Sequence, residues 1–209
     1  SYDVVVIDET QDFSANEIRA VMNQLTDEHT VTFVLDSAQR IYARNFTWAE
    51  AGVTVRPETS HRLTTNYRNT KQIARFAGTI LKGIAPDDDG TIPNFESATR
   101  EGELPILIEG KFRSQLDYVI GQIKSKIDLK TESVAFLHTK GYGWFDTVRN
   151  TLAKHDLPCV ELSTQADWPE GDANIALSTL HSAKGLEFDH VFIIGLNAEV
   201  MPMGKGESA

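Results

Sequence analysis

The amino-acid sequence predicts an α/β protein built on parallel sheets, and two patterns lead to this class. Short apolar runs alternate along the chain with segments in which apolar residues recur at helical spacing. A strand followed by a helix and a further strand is typical of parallel sheets covered by helices on both faces. With 209 residues, 41% of them hydrophobic and 24% charged, the chain is long enough for one large or two small domains.

The strands are predicted from continuous apolar runs, which are typical of strands buried on both faces. In chain order these runs are YDVVVI, TVTFVL, LPILIE, SVAFLH, NIALSTL and HVFIIGL. None of them approaches the length needed to cross a bilayer, so a membrane association is not expected.

Helices are predicted where apolar residues recur every three or four positions. SANEIRAVMNQL starts with a capping box, in which Ser14 is followed three residues later by Glu17. NTKQIARFAGTILKG carries an apolar stripe, and Gly83 can end its helix. The stripe consists of Ile73, Phe76, Ala77, Ile80 and Leu81. SQLDYVIGQIKSKI and GWFDTVRNTLAKH are the other predicted helices.

Charge and cysteine content limit the classes of function. The formal net charge of −10 argues against a surface that coats nucleic acid, because phosphate contacts need clustered Lys and Arg, but a local site is compatible with it. Cys159 is the single cysteine and is expected to be a small buried residue. The six histidines lack metal-ligand spacing, so zinc is not expected. Without a basic and apolar leader, the sequence predicts a cytoplasmic protein.

Polar residues gather where three of the predicted strands end. Asp8 and Glu9 follow the first strand, Asp36 and Gln39 follow the second, and HSAKGLE (181–187) follows NIALSTL. Ligands of parallel α/β sheets bind at the carboxyl ends of the strands. The three clusters therefore predict one site.

The adjacent carboxylates of Asp8 and Glu9 allow two interpretations. One acid can hold a magnesium ion, usually through water, while its neighbour accepts a proton from an attacking water. Alternatively, both side chains cap the helix that follows. The wider sequence favours the first interpretation, because DETQD is followed along the chain by DSAQRIY and LTTNYRNT.

Four motifs, in this order, resemble those of the UvrD/Rep-like helicases of superfamily 1. DETQD is similar to the family's Walker B element and DSAQRIY to its glutamine motif. LTTNYRNT is similar to its Asn-Tyr-Arg motif, and LSTLHSAKGLEFDHVFIIGLN to its His-Ser-Ala-Lys-Gly-Leu-Glu motif. The resemblance implies RecA-like domains of the P-loop NTPase type, ATP and Mg²⁺ as cofactors, and single-stranded or partly duplex DNA as the partner. It also implies ATP-driven movement on DNA in the 3′ to 5′ direction.

The first three motifs supply most of the catalytic roles that the resemblance implies. Asp8 would hold Mg²⁺, Glu9 would activate water, and Gln39 would sense the terminal phosphate. Arg68 would act as an arginine finger between domains, and Tyr67 would stack on the base, tasks that suit a planar guanidinium and an aromatic ring. The alternatives are an ordinary core-edge tyrosine and a surface ion-pair partner.

The last motif would supply contacts to both ATP and DNA. Glu187 would meet the ribose and phosphates, together with Lys184, where Gly185 allows close approach of the backbone. Thr179 and His181 would face the DNA strand. The alternative for His181 is a histidine whose hydrogen bonds are satisfied beside the strand.

Two aromatic residues near the glutamine motif are further DNA candidates. Tyr42 would face the strand. Many family members read Gly-Trp-Arg where this sequence has Ala43, Arg44 and Asn45. Trp48 either replaces that stacking platform or belongs to the core.

Two motifs of the family are missing from this sequence. There is no phosphate-binding loop of the form GxxxxGK[ST], and no arginine motif after the last predicted strand. We therefore expect part of a longer helicase that is inactive alone, with residues 1–60 as the C-terminal part of a first RecA-like domain. Residues 61–209 would be most of a second, C-terminally truncated domain without the large helical insertion. The alternatives are a non-catalytic interaction module on the same fold and an RNA-directed relative.

Overall fold

A computed structural model of the chain describes residues 1–35, 46–61, 63, 65–80, 95–141, 143–162 and 173–197. The chain divides into two compact units, Ser1–Ile106 and Leu107–Ala209. This division concerns which residues pack together. The assignment of residues 1–60 and 61–209 to two RecA-like domains stays a prediction.

The first unit opens with a strand, a turn and a helix, as predicted. Strand β1 (Tyr2–Ile7) leads through a short 3-10 turn to helix α1 (Ala15–Met22), and strand β2 (Leu25–Phe33) pairs with β1 in parallel. The predicted capping box is confirmed, because Ser14 Oγ accepts from the backbone N–H of Glu17, at 3.3 Å, and Glu17 Oε2 accepts from that of Ser14, at 2.7 Å. Strand β2 begins at Leu25, well before the predicted TVTFVL run.

A second small parallel sheet completes the first unit. Strand β3 (Asn66–Thr70) runs directly into helix α2 (Lys71–Ile80) and pairs with strand β4 (Ala98–Arg100). Exposed ion pairs join α2 to the segment that contains β4, with Arg75 Nη2 2.9 Å from Glu96 Oε2 and Lys71 Nζ 2.6 Å from Glu101 Oε1.

Two sequence predictions in this unit need correction. Residues 104–109, the LPILIE run, form no strand, because no described strand pairs with them. The side chains of Leu104 and Ile106 are mostly exposed. The α2 stripe is not fully buried either, since about half of Ile73 and of Phe76 is accessible to solvent and the buried residue is Ala74. An apolar run supplies side chains for a strand, but the strand also needs a partner for its backbone.

The second unit contains a four-stranded parallel sheet in the order β6-β7-β5-β8. These strands are β5 (Val134–His138), β6 (Val160–Leu162), β7 (Ile175–Thr179) and β8 (His190–Ile193). Helices α3 (Phe112–Lys126) and α4 (Gly143–Ala153) supply apolar residues to the same core. That core includes Leu116, Ile120, Ile123, Phe136, Val148, Leu152, Ile175 and Leu177. The α/β class with parallel sheets is confirmed.

Burial differs sharply between β5 and β1. All five residues of β5 are buried, as predicted, but β1 is mostly exposed, with Tyr2 at 63%, Val4 at 68% and Val6 at 65%. The expectation that β1 is a buried strand is therefore wrong for this structure. Its only hydrogen-bonded neighbour among the described strands is β2, whereas β5 lies between β7 and β8. In the part of the chain that the structure describes, no helix is both long and apolar enough to span a membrane.

Candidate functional site

The two carboxylates lie in a turn that is anchored to the ends of β1 and β2. Thr10 is fully buried, and its Oγ1 donates to the carbonyl of Ile7, at 2.9 Å. The Thr10 N–H donates to the carbonyl of Val34, at 3.0 Å, and the Val34 N–H donates to that of Ile7, at 2.8 Å. These bonds fix the start of the turn without help from a large core.

Within this turn Glu9 adopts a conformation that is uncommon for its residue type. Its backbone is left-handed, with φ 52° and ψ 35°, a region that non-glycine residues enter at a cost of about 1–2 kcal/mol. Asp8 Oδ1 accepts from the Glu9 N–H, at 2.8 Å, and a Glu9 carboxylate oxygen accepts from Gln11 Nε2. Backbone strain of this kind is common at functional sites.

The alternative interpretation of Asp8 and Glu9 as helix caps does not fit the turn. Helix α1 is capped by Ser14 and Glu17, and Glu9, which precedes the 3-10 turn, makes no side-chain cap hydrogen bond there. Neither of the two side chains is therefore the cap of α1. Asp8 is exposed and Glu9 is partly exposed, so both can meet a ligand.

The exposed carboxylate of Asp8 fits the role of a magnesium ligand. Mg²⁺ commonly keeps several waters and takes only one or two protein carboxylates together with substrate phosphates. One Asp8 oxygen, Oδ1, is engaged by the Glu9 N–H. Among the described residues, no group of three or more His, Cys, Asp or Glu side chains could enclose a metal ion, so a fully protein-enclosed site is not seen there.

The remaining candidates of the first unit lie on its surface or in partial contact with its core. Tyr67 and Arg68 both lie in β3, where Tyr67 is 73% exposed, which excludes the core-edge alternative for it. The Arg68 carbonyl accepts from Arg100 Nη1, at 3.2 Å, so the two paired strands hold this backbone. Trp48 is partly buried and packs against Phe33, with ring centroids 5.0 Å apart. Trp48 is therefore tied to the end of β2.

In the second unit the last motif forms a hydrogen-bonded turn after β7. Thr179 Oγ1 accepts from the Ser182 N–H, at 3.0 Å, and donates to Ser182 Oγ, at 2.9 Å. The Ala183 N–H donates to the Thr179 carbonyl, at 3.0 Å, and the Lys184 N–H to the His181 carbonyl, at 3.2 Å. The structure thus brings these candidates together in one turn.

The end of this turn depends on a glycine. Gly185 has φ 82°, a conformation that L side chains rarely adopt. Gly185, His181 and Glu187 are exposed, and Lys184 is partly exposed. The turn therefore presents a cation, an imidazole and a carboxylate close together in sequence on the surface of the second unit.

Sequence reasoning missed a histidine at the carboxyl end of β5. His138 is buried, and its Nδ1 accepts from the N–H groups of Lys140, at 3.1 Å, and Gly141, at 2.9 Å. Its ring stacks on Trp144, with centroids 4.9 Å apart. Burial, and then the nearby charge of Lys140, lowers the pKa of His138. The signal was present in SVAFLH, where a polar residue ends an otherwise apolar strand.

Gln39 and Tyr42 lie outside the described residues. The other predicted residues divide between the units. Asp8, Glu9, Trp48, Tyr67 and Arg68 belong to the first unit, and Thr179, His181, Lys184, Gly185 and Glu187 belong to the second.

Comparison with known proteins finds similarity to UvrD-like DNA helicases. Residues 161–207 match the model of the UvrD-like helicase C-terminal domain. A "Probable DNA helicase" of Mycoplasma pneumoniae is 24% identical over 212 residues, which cover 95% of this chain and 36% of that protein. The ATP-dependent DNA helicase PcrA of Leuconostoc citreum is 48% identical over 44 residues, which cover 21% of this chain and 6% of that protein. These matches confirm the resemblance to UvrD/Rep-like helicases.

The matches cover the two candidate turns of the chain unequally. The family model includes β7, β8 and the turn between them. The alignment with the Mycoplasma pneumoniae helicase spans nearly the whole chain, which itself spans about a third of that relative's length. No solved structure gives a significant match. Both relatives carry the name of a DNA helicase.

Proposed function

We propose that this protein is part of an ATP-dependent DNA helicase or translocase that couples ATP hydrolysis to 3′ to 5′ movement on single-stranded DNA. The observation that carries the proposal is the carboxylate turn. Asp8 and Glu9 stand side by side at the carboxyl end of β1, held by buried Thr10 and not used as helix caps. A carboxylate that holds Mg²⁺ and a neighbouring group that orients or activates water, both at a strand end, suit ATP hydrolysis.

The two acids take different roles in this proposal. Asp8 is exposed and would hold Mg²⁺, which would supply positive charge to the phosphates. Glu9 accepts a proton from the attacking water. The backbone of Glu9 is left-handed, an uncommon conformation that is often found at functional sites.

Three further residues of the first unit have proposed roles in the nucleotide site. Gln39 senses the terminal phosphate, and Tyr67 stacks on the base. Arg68 stabilises the charge that develops during phosphoryl transfer, a task for which a guanidinium is suited because it stays charged and binds oxygens in pairs. Exposure of Tyr67 and Arg68 supports these roles.

For the turn after β7 we propose contacts to nucleotide and to DNA. Lys184 and Glu187 meet the phosphates and ribose, and Gly185 allows the backbone to approach them. Thr179 and His181 contact the DNA strand, together with Tyr42. Trp48 contributes as a stacking platform if its exposed part is available to a base.

Strand separation by the full-length protein tests this proposal. The substrates are partly duplex DNAs with either a 3′ or a 5′ single-stranded tail, and the same duplexes made of RNA. We expect ATP-dependent unwinding of the 3′-tailed DNA and loss of unwinding in Glu9→Gln. Unwinding confined to RNA would identify the RNA-directed alternative. Nucleic-acid binding without ATP hydrolysis would identify the non-catalytic module.

A further inference from the structure

Gln11 is a buried glutamine that contacts Glu9, the residue proposed to accept the proton. Gln11 is only 3% exposed, and its Nε2 donates a hydrogen bond to a carboxylate oxygen of Glu9. A primary amide is costly to bury unless it is hydrogen-bonded. The position of Gln11 is therefore tied to the contact with Glu9.

The backbone of the turn brings these two side chains together. Glu9 is left-handed, and the next three residues form a single 3-10 turn, in which the Asp12 N–H donates to the Glu9 carbonyl, at 3.0 Å. Thr10, between the two side chains, is held by Ile7 and Val34. The backbone that carries the Gln11 side chain is therefore fixed. The Gln11 amide contacts the carboxylate of Glu9, a partly exposed residue.

We propose that Gln11 is a positioning residue for Glu9. Its amide restricts the Glu9 carboxylate to the orientation in which one oxygen is held and the other faces the attacking water. A carboxylate on a flexible side chain otherwise samples several rotamers, and small misplacements of a reacting group lower the rate strongly. This role rests on the proposed function, because it concerns the same carboxylate.

A matched pair within the first unit separates positioning from general stability. Gln72 also donates its Nε2 to a carboxylate, that of Glu101, at 2.8 Å, but this contact is exposed and lies between α2 and the segment after β4. Gln72→Met therefore removes the same kind of hydrogen bond away from Glu9. Gln11→Met keeps the length of the side chain and removes the donor.

Steady-state ATP turnover by the full-length protein is the first measurement. We expect Gln11→Met to lower kcat by about 10- to 100-fold with KM for ATP changed less than about threefold, as for a misplaced reacting group. Gln72→Met should leave both constants near those of the wild type. Equal kcat values for wild type and Gln11→Met, or equal losses in the two methionine variants, would overturn the proposal.

A conservative variant adds a pH readout that a purely structural role would not move. Gln11→Glu has nearly the same shape but places a second carboxylate against Glu9, and two such groups do not both ionise freely. The introduced carboxyl can donate a hydrogen bond only when it is protonated. The kcat of Gln11→Glu relative to wild type should therefore rise as the pH falls from 8 to 6, and a flat ratio would contradict the proposal.

The 209-residue chain allows a measurement that needs no turnover. The side-chain carboxylate ¹³C resonance of Glu9, assigned through Glu9→Gln, should shift in Gln11→Met and stay in place in Gln72→Met. An unmoved resonance in Gln11→Met would show that the hydrogen bond is absent in solution. If Glu9→Gln leaves ATP turnover by the full-length protein unchanged, the proposed function is wrong. If turnover falls in Glu9→Gln but not in Gln11→Met, only the positioning role of Gln11 is wrong.

Discussion

The strands β1 and β5 are similar in sequence and opposite in burial. Both are short and apolar, and a polar group lies at or just after the carboxyl end of each, His138 in one case and Asp8 in the other. Every residue of β5 is buried, whereas β1 has Ile7 as its only buried residue. A strand becomes buried when neighbours cover its sides and faces, and β5 has two hydrogen-bonded strand neighbours whereas β1 has one among the described strands.

The comparison also shows two ways to fix a polar group at a strand end. His138 is held by a dense core, because it stacks on Trp144 and lies against Gly195, where a Cβ would come within 2.9 Å of its ring. Asp8 and Glu9 are held by the local hydrogen bonds of Thr10 and Gln11. We therefore expect the second unit to respond to loss of apolar volume and the first to loss of individual hydrogen bonds.

The largest expected effect is the loss of a central core side chain from the second unit. Leu177 in β7 is fully buried, so Leu177→Ala should lower the free energy of unfolding by about 2–5 kcal/mol. Val4→Ala in exposed β1 is the matched control, and it should change the free energy by less than about 0.5 kcal/mol. Hydrogen exchange of the β5 and β1 amides reports each unit separately. Similar losses from both substitutions would remove the contrast between the units.

A smaller effect is expected from the protonation of His138. Because burial lowers its pKa, the folded unit favours the neutral ring, whose Nδ1 accepts from two backbone N–H groups. Stability from this group is complete above the unfolded pKa of about 6.5 and is lost as the pH falls from there toward the lower folded pKa. Hydrogen exchange in β5 should accelerate between pH 7.5 and 5.5, after correction for the intrinsic pH dependence.

Two variants sharpen this comparison. His138→Asn keeps an acceptor but cannot titrate, so the loss of protection at low pH should disappear. His155→Asn alters an exposed histidine of the same unit and should leave that loss unchanged. If the loss of protection at low pH persists in His138→Asn, a group other than His138 causes it.

The smallest expected effect concerns the capping box of α1. Ser14→Ala removes the acceptor of the Glu17 N–H, so the free energy of unfolding of the first unit should fall by about 1 kcal/mol. Hydrogen exchange at Ile18, the buried residue of α1, measures this change. Protection equal to that of the wild type would mean that the box contributes little beyond the burial of Ile18.

The sequence predicted those parts of the fold that depend on local patterns. The capping box at Ser14 and the strands β1, β5 and β7 were found because periodicity and cap residues act within a few positions. The LPILIE run failed because a strand needs a partner backbone, which no local pattern contains. Conversely, NYRNT is polar and still pairs in β3, because β4 lies beside it.

The candidate site shows the same limit. The spacing in DETQD pointed to Asp8 and Glu9, but the part played by Gln11 depends on the left-handed backbone at Glu9 and on the burial of Thr10. Neither property can be predicted from the five residues of DETQD alone. His138 was missed because a histidine at the end of an apolar strand carries no sign of which ring nitrogen is engaged.

The central proposal is that Asp8 and Glu9 are the hydrolytic carboxylates of an ATP site, although the sequence contains no phosphate-binding loop of the form GxxxxGK[ST]. ATP turnover in the presence of single-stranded DNA tests it, measured for the 209-residue chain and for the full-length protein, each as wild type and as Glu9→Gln. We expect no turnover above background from the chain, and turnover by the full-length protein that falls by about 10²-fold or more in Glu9→Gln, because a positioned base is lost. Turnover by the chain alone that Glu9→Gln abolishes, or a loss below about tenfold in the full-length variant, would contradict the claim.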